Sequence, residues 1–403
     1  MTRLLLRARI ALVRAGFWLG SRRRTRAAVV LATSHDDRLH GNLAFIQDAL
    51  ASRHPDVRTI RLAHRATAGW RGRIRAVPDA VRAGYHLATA RLFVVDDYYL
   101  PMYVIRPRPG TMRVQVWHAS GAFKKFGYSV LDKTFGASEA TIEHVSIHAN
   151  YDLCLVSSMH VAPAYAEAFR QPIEKFVSYL GVPRTDVLLD DTRARTSAAA
   201  VRRRYAIPDG RRVILYAPTF RGDSVVAARH PDALDLERLQ TVLGDDHVVL
   251  VRLHPFVRNG PRLATRLAGF AIDVSEHPDV NELMLVSDLL VTDYSSAIYE
   301  FSLLGRPMVF FAPDLDAYER ERGFYFDYRK TVPGPIFETT DEVASYVRKG
   351  RFDTERVAAF ARASFDVADG RASARFVHEV VLPAFAGRRP ASERLRRPRS
   401  GPG

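Results

Sequence analysis

SDLLVTDYSSAIYEFS, residues 287–302, runs from an apolar strand through a polar corner into a helix. Leu289, Leu290 and Val291 form the short apolar run of a buried parallel strand, and residues 297–304 carry apolar side chains at helical spacing. The corner between them is Thr292-Asp293-Tyr294-Ser295-Ser296. A serine pair at a helix start leaves backbone N–H groups free, with hydroxyls beside them and the positive end of the helix dipole behind. That predicts an anion seat, against the plainer alternative that Ser295 or Ser296 merely caps the helix.

Outward from this stretch, strands alternate with helices on both sides. In the first half, strands are predicted at residues 27–33, 57–63, 91–97, 113–117 and 151–157, with helices at 42–52, 71–86 and 161–169. Residues 190–209 turn polar and Ala/Arg-rich, and the link between domains is predicted just before or within this stretch. A second series follows: strands at 213–217, 248–253, 270–274, 289–291 and 308–312, with helices at 234–242, 341–349, 354–363 and 372–385. Such alternation means parallel sheets covered on both faces, whose ligands sit at the carboxyl ends of the strands. The expected organisation is a basic leader (1–26), two α/β domains (27–190 and 191–370), a closing helix (371–386) and a basic tail (387–403).

The formal charge of +15 would suggest nucleic acid if it were spread over a folded face. Instead, residues 1–26 hold eight arginines and no acid, and residues 387–403 hold six arginines against Glu393, so the ends supply nearly all of the excess. A specific nucleic-acid groove is therefore not expected. The leader alternates arginines (Arg3, Arg7, Arg14) with Leu5, Leu12 and Leu19, and adds Phe17 and Trp18. It is too short and too charged to span a bilayer but suited to an anionic membrane surface, or else to plain solvation. The single cysteine, Cys154, lies in an apolar run, which excludes a disulfide framework and favours a cytoplasmic setting.

The predicted strand ends deliver a set of polar residues. In the first half they are His118-Ala119-Ser120-Gly121, followed by Lys124 and Lys125; in the second, Thr219 and Arg221, then His254-Pro255, then Thr292 to Ser296. No HExxH motif, paired-cysteine pattern or close carboxylate–histidine cluster is legible, so neither a metal nor another cofactor is expected. Asp96 and Asp97 end one strand as an acidic pair that could hold a cation or serve structure. Arginine, histidine, helix ends and hydroxyls would then neutralise phosphate. Asp293 would orient a histidine or hold the turn, and Lys124 and Lys125 would reach phosphate or stay solvated.

In series, QVWHASGAFKKFG (115–127), GVPRTD (181–186), YAPTFRGD (216–223), RLHP (252–255), SDLLVTDYSSAIYEF (287–301) and RPMVFFAPDLDAYERERGFYFDY (306–328) resemble the CDP-glycerol glycerophosphotransferase family of teichoic acid primer and polymer synthesis. The resemblance implies a GT-B-like fold, two Rossmann-type domains whose parallel sheets face a central cleft. It implies CDP-glycerol or a related CDP-polyol as donor, a glycan or polyprenyl-linked hydroxyl as acceptor, and peripheral association with the cytoplasmic membrane. By the same resemblance His118 is the base for the acceptor hydroxyl, His254 lies near the donor pyrophosphate, and Arg221, Ser295 and Ser296 contact phosphate. One departure is visible: the family commonly has Gly, then Thr or Ser, then Pro after the first histidine, and here the chain reads Ala119-Ser120-Gly121. Two other readings remain open at this level: a GT-B glycosyltransferase using a nucleotide sugar, and a catalytically silent membrane-associated scaffold.

Overall fold

The computed structural model describes residues 3–64, 70–131, 145–222, 228–231, 234–254, 257 and 263–387. The chain forms two compact units: Met1–His118 with Ala137–Asp186 and Asp366–Gly403, and Ala119–Gly136 with Val187–Phe365.

Unit 1 is built on a parallel sheet of six strands, β1 (Arg26–Thr33), β2 (Arg58–Ala63), β3 (Ala90–Val95), β4 (Met112–Gln115), β5 (Leu153–Leu155) and β6 (Phe176–Val177), in the order β2-β1-β3-β4-β5-β6. Unit 2 holds a second parallel sheet: β7 (Arg212–Ala217), β8 (His247–Val251), β9 (Ala271–Asp273), β10 (Leu289–Thr292), β11 (Met308–Phe311) and β12 (Ile336–Phe337), in the order β12-β11-β10-β7-β8-β9. The near-continuous Val/Leu/Ile runs of β1, β3, β7, β8 and β10 are buried along their lengths, as strands covered on both faces must be. β6 and β12 have two residues each, too few to show a pattern in sequence.

Three segments differ from the sequence expectation. The predicted leader is the helix α1 (Arg3–Ser21), which packs within unit 1 against α3 (Trp70–Thr89); the helix between them in sequence is α2 (Gly41–Arg53). Leu6, Val13, Gly16 and Gly20 of α1 are buried. A Cβ on Gly16 would run into the Val81 carbonyl and one on Gly84 into that of Val13, so glycines set how closely the two backbones approach. The predicted link is largely a helix, Asp191–Arg204, capped by the Asp190 carboxylate accepting from the N–H groups of Thr192 and Arg193. Alanine and arginine favour helix, but Val201 is its one buried residue, so no apolar period betrays it.

The third, the closing run, is helical as expected, Ala372–Phe376 continuing through Val377–Val381 to Leu382–Phe385, and differs only in where it packs. It returns to unit 1, burying Phe376, Val377, Val380 and Val381 in the core with β1, β3 and β4. Asp186, the last residue of GVPRTD, accepts from the N–H groups of Ala372 and Ser373 at 2.9 and 2.8 Å and fixes that return. Residues 387–403, expected as a basic tail, lie outside the described residues apart from Gly387.

Candidate active site

His118 follows β4, and the backbone that presents it is strained. Trp117 has φ of 52°, a left-handed conformation costing a residue with a side chain about 1–3 kcal/mol. Buried amides hold it there. Gln115 Oε1 accepts from the Trp117 N–H at 2.8 Å, and Asn42 of α2 donates to the carbonyls of Val116 and Trp117, both at 2.9 Å. Arg184 of GVPRTD donates its N–H to Asn42 and a guanidinium N–H to the His118 carbonyl. The Trp117 indole stacks on the imidazole with centroids 4.4 Å apart.

Because Val95 of β3 is in register with Gln115 of β4, the residues leaving those strands are neighbours. Nδ1 of His118 lies 3.3 Å from the Asp96 carbonyl and 3.7 Å from Asp97 Oδ1. A carbonyl can only accept, so the neutral ring carries its proton on Nδ1 and keeps a lone pair on Nε2. Asp97 also meets His35, which follows β1, with Nδ1 to Oδ2 at 3.2 Å, and the two imidazoles stack with centroids 6.4 Å apart.

Desolvation lowers the His118 pKa, and Asp97 opposes it. For Asp97, desolvation is outweighed by the two imidazoles, and its pKa falls. Burial instead pushes Asp96 up to about 7. Asp97 is thus ionised at pH 7, whereas Asp96 is about half protonated. Asp97→Asn is expected to lower kcat with donor KM unchanged. It should also move the acid limb of the pH–rate profile to lower pH, because Asp97 raises the imidazole pKa. An acid limb that stays put would remove Asp97 from this role.

In unit 2, the carboxyl ends of β10, β7 and β8 stand side by side, with Thr292 paired to Ala217 and Tyr216 to Val251. The Asp293 Oδ1 atom accepts from the Thr219 N–H at 2.8 Å, the Thr219 hydroxyl at 2.5 Å and the Tyr294 N–H at 2.6 Å. Its other oxygen is 3.0 Å from Arg221 Nη2. Asp293 therefore holds the turn, one of the two roles left open for it by the sequence.

Arg221, expected to contact phosphate, is held by protein partners in this structure. Its Nε and Nη2 donate to Asp314 at 2.6 and 2.9 Å, and its Nη1 donates to the Thr219 carbonyl at 2.8 Å. The guanidinium is 5.0 and 5.1 Å from the ring centroids of Tyr294 and Tyr318. All three of its nitrogens are engaged within unit 2.

Ser295 accepts from the Ala297 N–H at 3.2 Å at the start of the helix Ala297–Ser302 and keeps its own proton to donate. Ser296 occupies the N-cap position without a capping bond from its side chain. His254 leaves the end of β8, its ring 4.8 Å from that of Phe220. Lys124 bridges Phe324 in antiparallel fashion, and the Lys125 N–H reaches the Gly323 carbonyl; neither ammonium forms an ion pair among the described residues.

The loop after His118 departs from the family pattern for a visible reason. Ser120 donates to the buried Glu300 at 2.8 Å, and Gly121 lies flat on the Tyr299 ring, where a Cβ would collide. Proline at 121 would not fit this packing.

Sequence reasoning placed His118 but missed His35, Asn42 and Arg184, and it left Asp97 between a cation site and structure. The signal was present for two of these: His35 and Asp97 leave β1 and β3, neighbouring strands of which β3 lies next to β4 in the sheet. Among the described residues, no group of three or more His, Cys, Asp or Glu side chains is placed to hold a metal ion.

Two doubly wound parallel α/β units, with polar residues gathered at strand ends, give the chain a GT-B-like fold. Residues 18–382 match the family described as CDP-Glycerol:Poly(glycerophosphate) glycerophosphotransferase, and the chain belongs to that family. It is 38% identical over 349 residues to the teichoic acid ribitol-phosphate primase of Bacillus spizizenii, covering 86% of this chain and 89% of that one. It is also 38% identical over 310 residues to the teichoic acid poly(ribitol-phosphate) polymerase of the same organism, covering 77% of this chain but 49% of the polymerase. The fold is that of the wall teichoic acid polymerase TagF, with a TM-score of 0.77 at 23% identity over 95% of both chains.

Proposed function

We propose that this enzyme transfers a polyol phosphate from a CDP-alcohol to a hydroxyl of a glycan or polyprenyl-linked acceptor, releasing CMP. The observation that carries the reading is His118, whose Nδ1 faces the Asp96 carbonyl and Asp97 and whose Nε2 is left as the basic atom. The acceptor oxygen attacks the β-phosphorus while Nε2 takes its proton. The bond from that phosphorus to the bridging oxygen breaks, and CMP departs with the electron pair. Such transfer asks for positioning and charge stabilisation, with no covalent enzyme intermediate.

On this reading His254, Thr219, Ser295 and Ser296 serve the donor diphosphate. Lys124 and Lys125 supply unpaired positive charge, and Arg221 and Asp293 build the surface that carries the others. The test is incubation with CDP-ribitol, CDP-glycerol and a panel of nucleotide sugars. CMP with a phosphodiester product supports the proposal, whereas a nucleoside diphosphate with a glycoside would reassign the enzyme as a glycosyltransferase. CDP-ribitol comes first because the two relatives above are named for ribitol phosphate.

We also assign the exposed face of α1 to an anionic membrane surface. No helix among the described residues is long and apolar enough to cross a membrane. Leu4 and Trp18 remain 77% and 56% exposed on α1, beside Arg3, Arg7 and Arg22. Since α1 is packed into unit 1, the informative change is on its surface, not its removal. Leu4→Glu with Trp18→Glu should weaken binding to phosphatidylglycerol vesicles by roughly tenfold or more. Undiminished vesicle binding would refute the assignment.

A further inference from the structure

Beside the His118 cluster, at the carboxyl ends of β1 and β2, is a small open pocket. Arg9 of α1, Thr33, Ser34, His64, Asp79 of α3 and Tyr99 line it. Ser34 directly precedes His35, and the Thr33 hydroxyl bonds Asp96, so the pocket adjoins the groups that hold His118.

Arg9 is the unusual member. It is half-buried, yet among the described residues it makes no hydrogen bond or ion pair, and its Nε is sealed from solvent without a partner there. Burial lowers its pKa, with Tyr99 and Asp79 too weak to compensate. A guanidinium taken out of water without a counter-ion is costly, and such groups are ordinarily paired. The nearby carboxylate is already engaged: Asp79 meets His64 Nδ1 at 3.2 Å and Arg82 at 4.0 Å. His64 in turn has a buried Nε2 with no partner. Ser34 is committed as a donor to the Tyr98 carbonyl, so the remaining donors are Arg9, the Tyr99 hydroxyl and, when protonated there, His64 Nε2.

We propose that this pocket binds a phosphate group of the acceptor, a phosphodiester or phosphomonoester of the chain being extended, with Arg9 as its principal cation. The inference rests on the transfer reaction proposed above. Size is compatible with it: the pocket is small and open, with room for a phosphate oxygen and the rest of the ester at its mouth. Chemistry supports it, since guanidinium is the group best matched to phosphate oxygens. By this assignment α1 carries an acceptor-binding residue on its packed side.

The test separates binding from turnover. Full-length protein with isotope-labelled histidine is titrated with inorganic phosphate while saturating CMP fills the donor side, and the His64 resonance is identified from a His64→Gln spectrum. Saturable movement of that resonance in the wild type, lost in Arg9→Gln and retained in Arg9→Lys, is the expected result. No saturable movement in the wild type, or movement that survives Arg9→Gln, overturns the site whether or not the enzyme transfers polyol phosphate. If Arg9→Gln fails to fold by circular dichroism, the wild-type titration and Arg9→Lys decide.

The source of the phosphate is read from kinetics with a soluble glycerol-phosphate oligomer as acceptor. Arg9→Gln should raise acceptor KM about 10- to 100-fold, as loss of a charge-assisted hydrogen bond does, with donor KM unchanged. A defect confined to binding phosphatidylglycerol vesicles would make the ligand a lipid headgroup and overturn the acceptor assignment.

Discussion

His118→Ala is expected to lower kcat by about 10²–10⁴, the usual contribution of a positioned general base, while the Kd for the CDP-alcohol stays at its wild-type value. The separation of effects follows from the structure, because His118 belongs to the Asp96, Asp97 and His35 cluster of unit 1 and makes none of the contacts around Asp293. Single-turnover transfer and equilibrium binding measured on one preparation give the two readouts. Turnover near the wild-type rate would reject the base assignment. His118→Gln should resemble alanine, since an amide keeps hydrogen bonding near Asp96 but has no basic nitrogen.

The second large effect is on stability. Arg221→Ala removes one partner from a nearly closed network and leaves Asp293, 3% exposed, as a buried carboxylate without its cation. Breaking such a pair costs about 3–5 kcal/mol; with Asp314 39% exposed and partly screened, the low end of about 3 kcal/mol is expected. For a unit of this size that is a fall in Tm of about 6–12 °C.

The effect depends on pH through Asp314. Burial pushes its pKa up, and the hydrogen bonds and charge of Arg221 outweigh that, leaving it depressed. The pair's contribution is therefore complete above the unfolded carboxylate value of about 3.9 and is lost as pH falls through the lower folded value. The wild-type advantage over Arg221→Ala should shrink along that acid limb. Donor affinity, measured below the Tm of the variant, should change little. A large loss of donor affinity in a folded Arg221→Ala protein would return Arg221 to direct phosphate contact.

The expectation about Arg221 and its outcome show where one-dimensional reading stops. Its place after Ala217-Pro218-Thr219 marked a strand end, and strand ends in parallel sheets are where ligands bind. What the guanidinium touches depends on Asp314, 93 residues on, and nothing local announces that pairing. His118 was legible for the same positional reason, whereas Asn42, 74 and 75 residues from the carbonyls it holds, was not. The α1 helix illustrates a third case. Its arginines and leucines describe an amphipathic helix correctly, but which face is solvent depends on glycines that let α3 approach.

Local pattern alone determined the parallel α/β character of both units, the position of β10 and its serine turn, and the strand ends at which the polar residues emerge. These follow from apolar periodicity and from residue types with strong backbone preferences, which act over a few neighbours. Tertiary structure decided which charges are spent on one another: Arg221 on Asp293 and Asp314, His118 and His35 on Asp97, with Arg9 left unpaired among the described residues. Electrostatic partnership is set by distance in space and by exclusion of water, and neither is written along the chain.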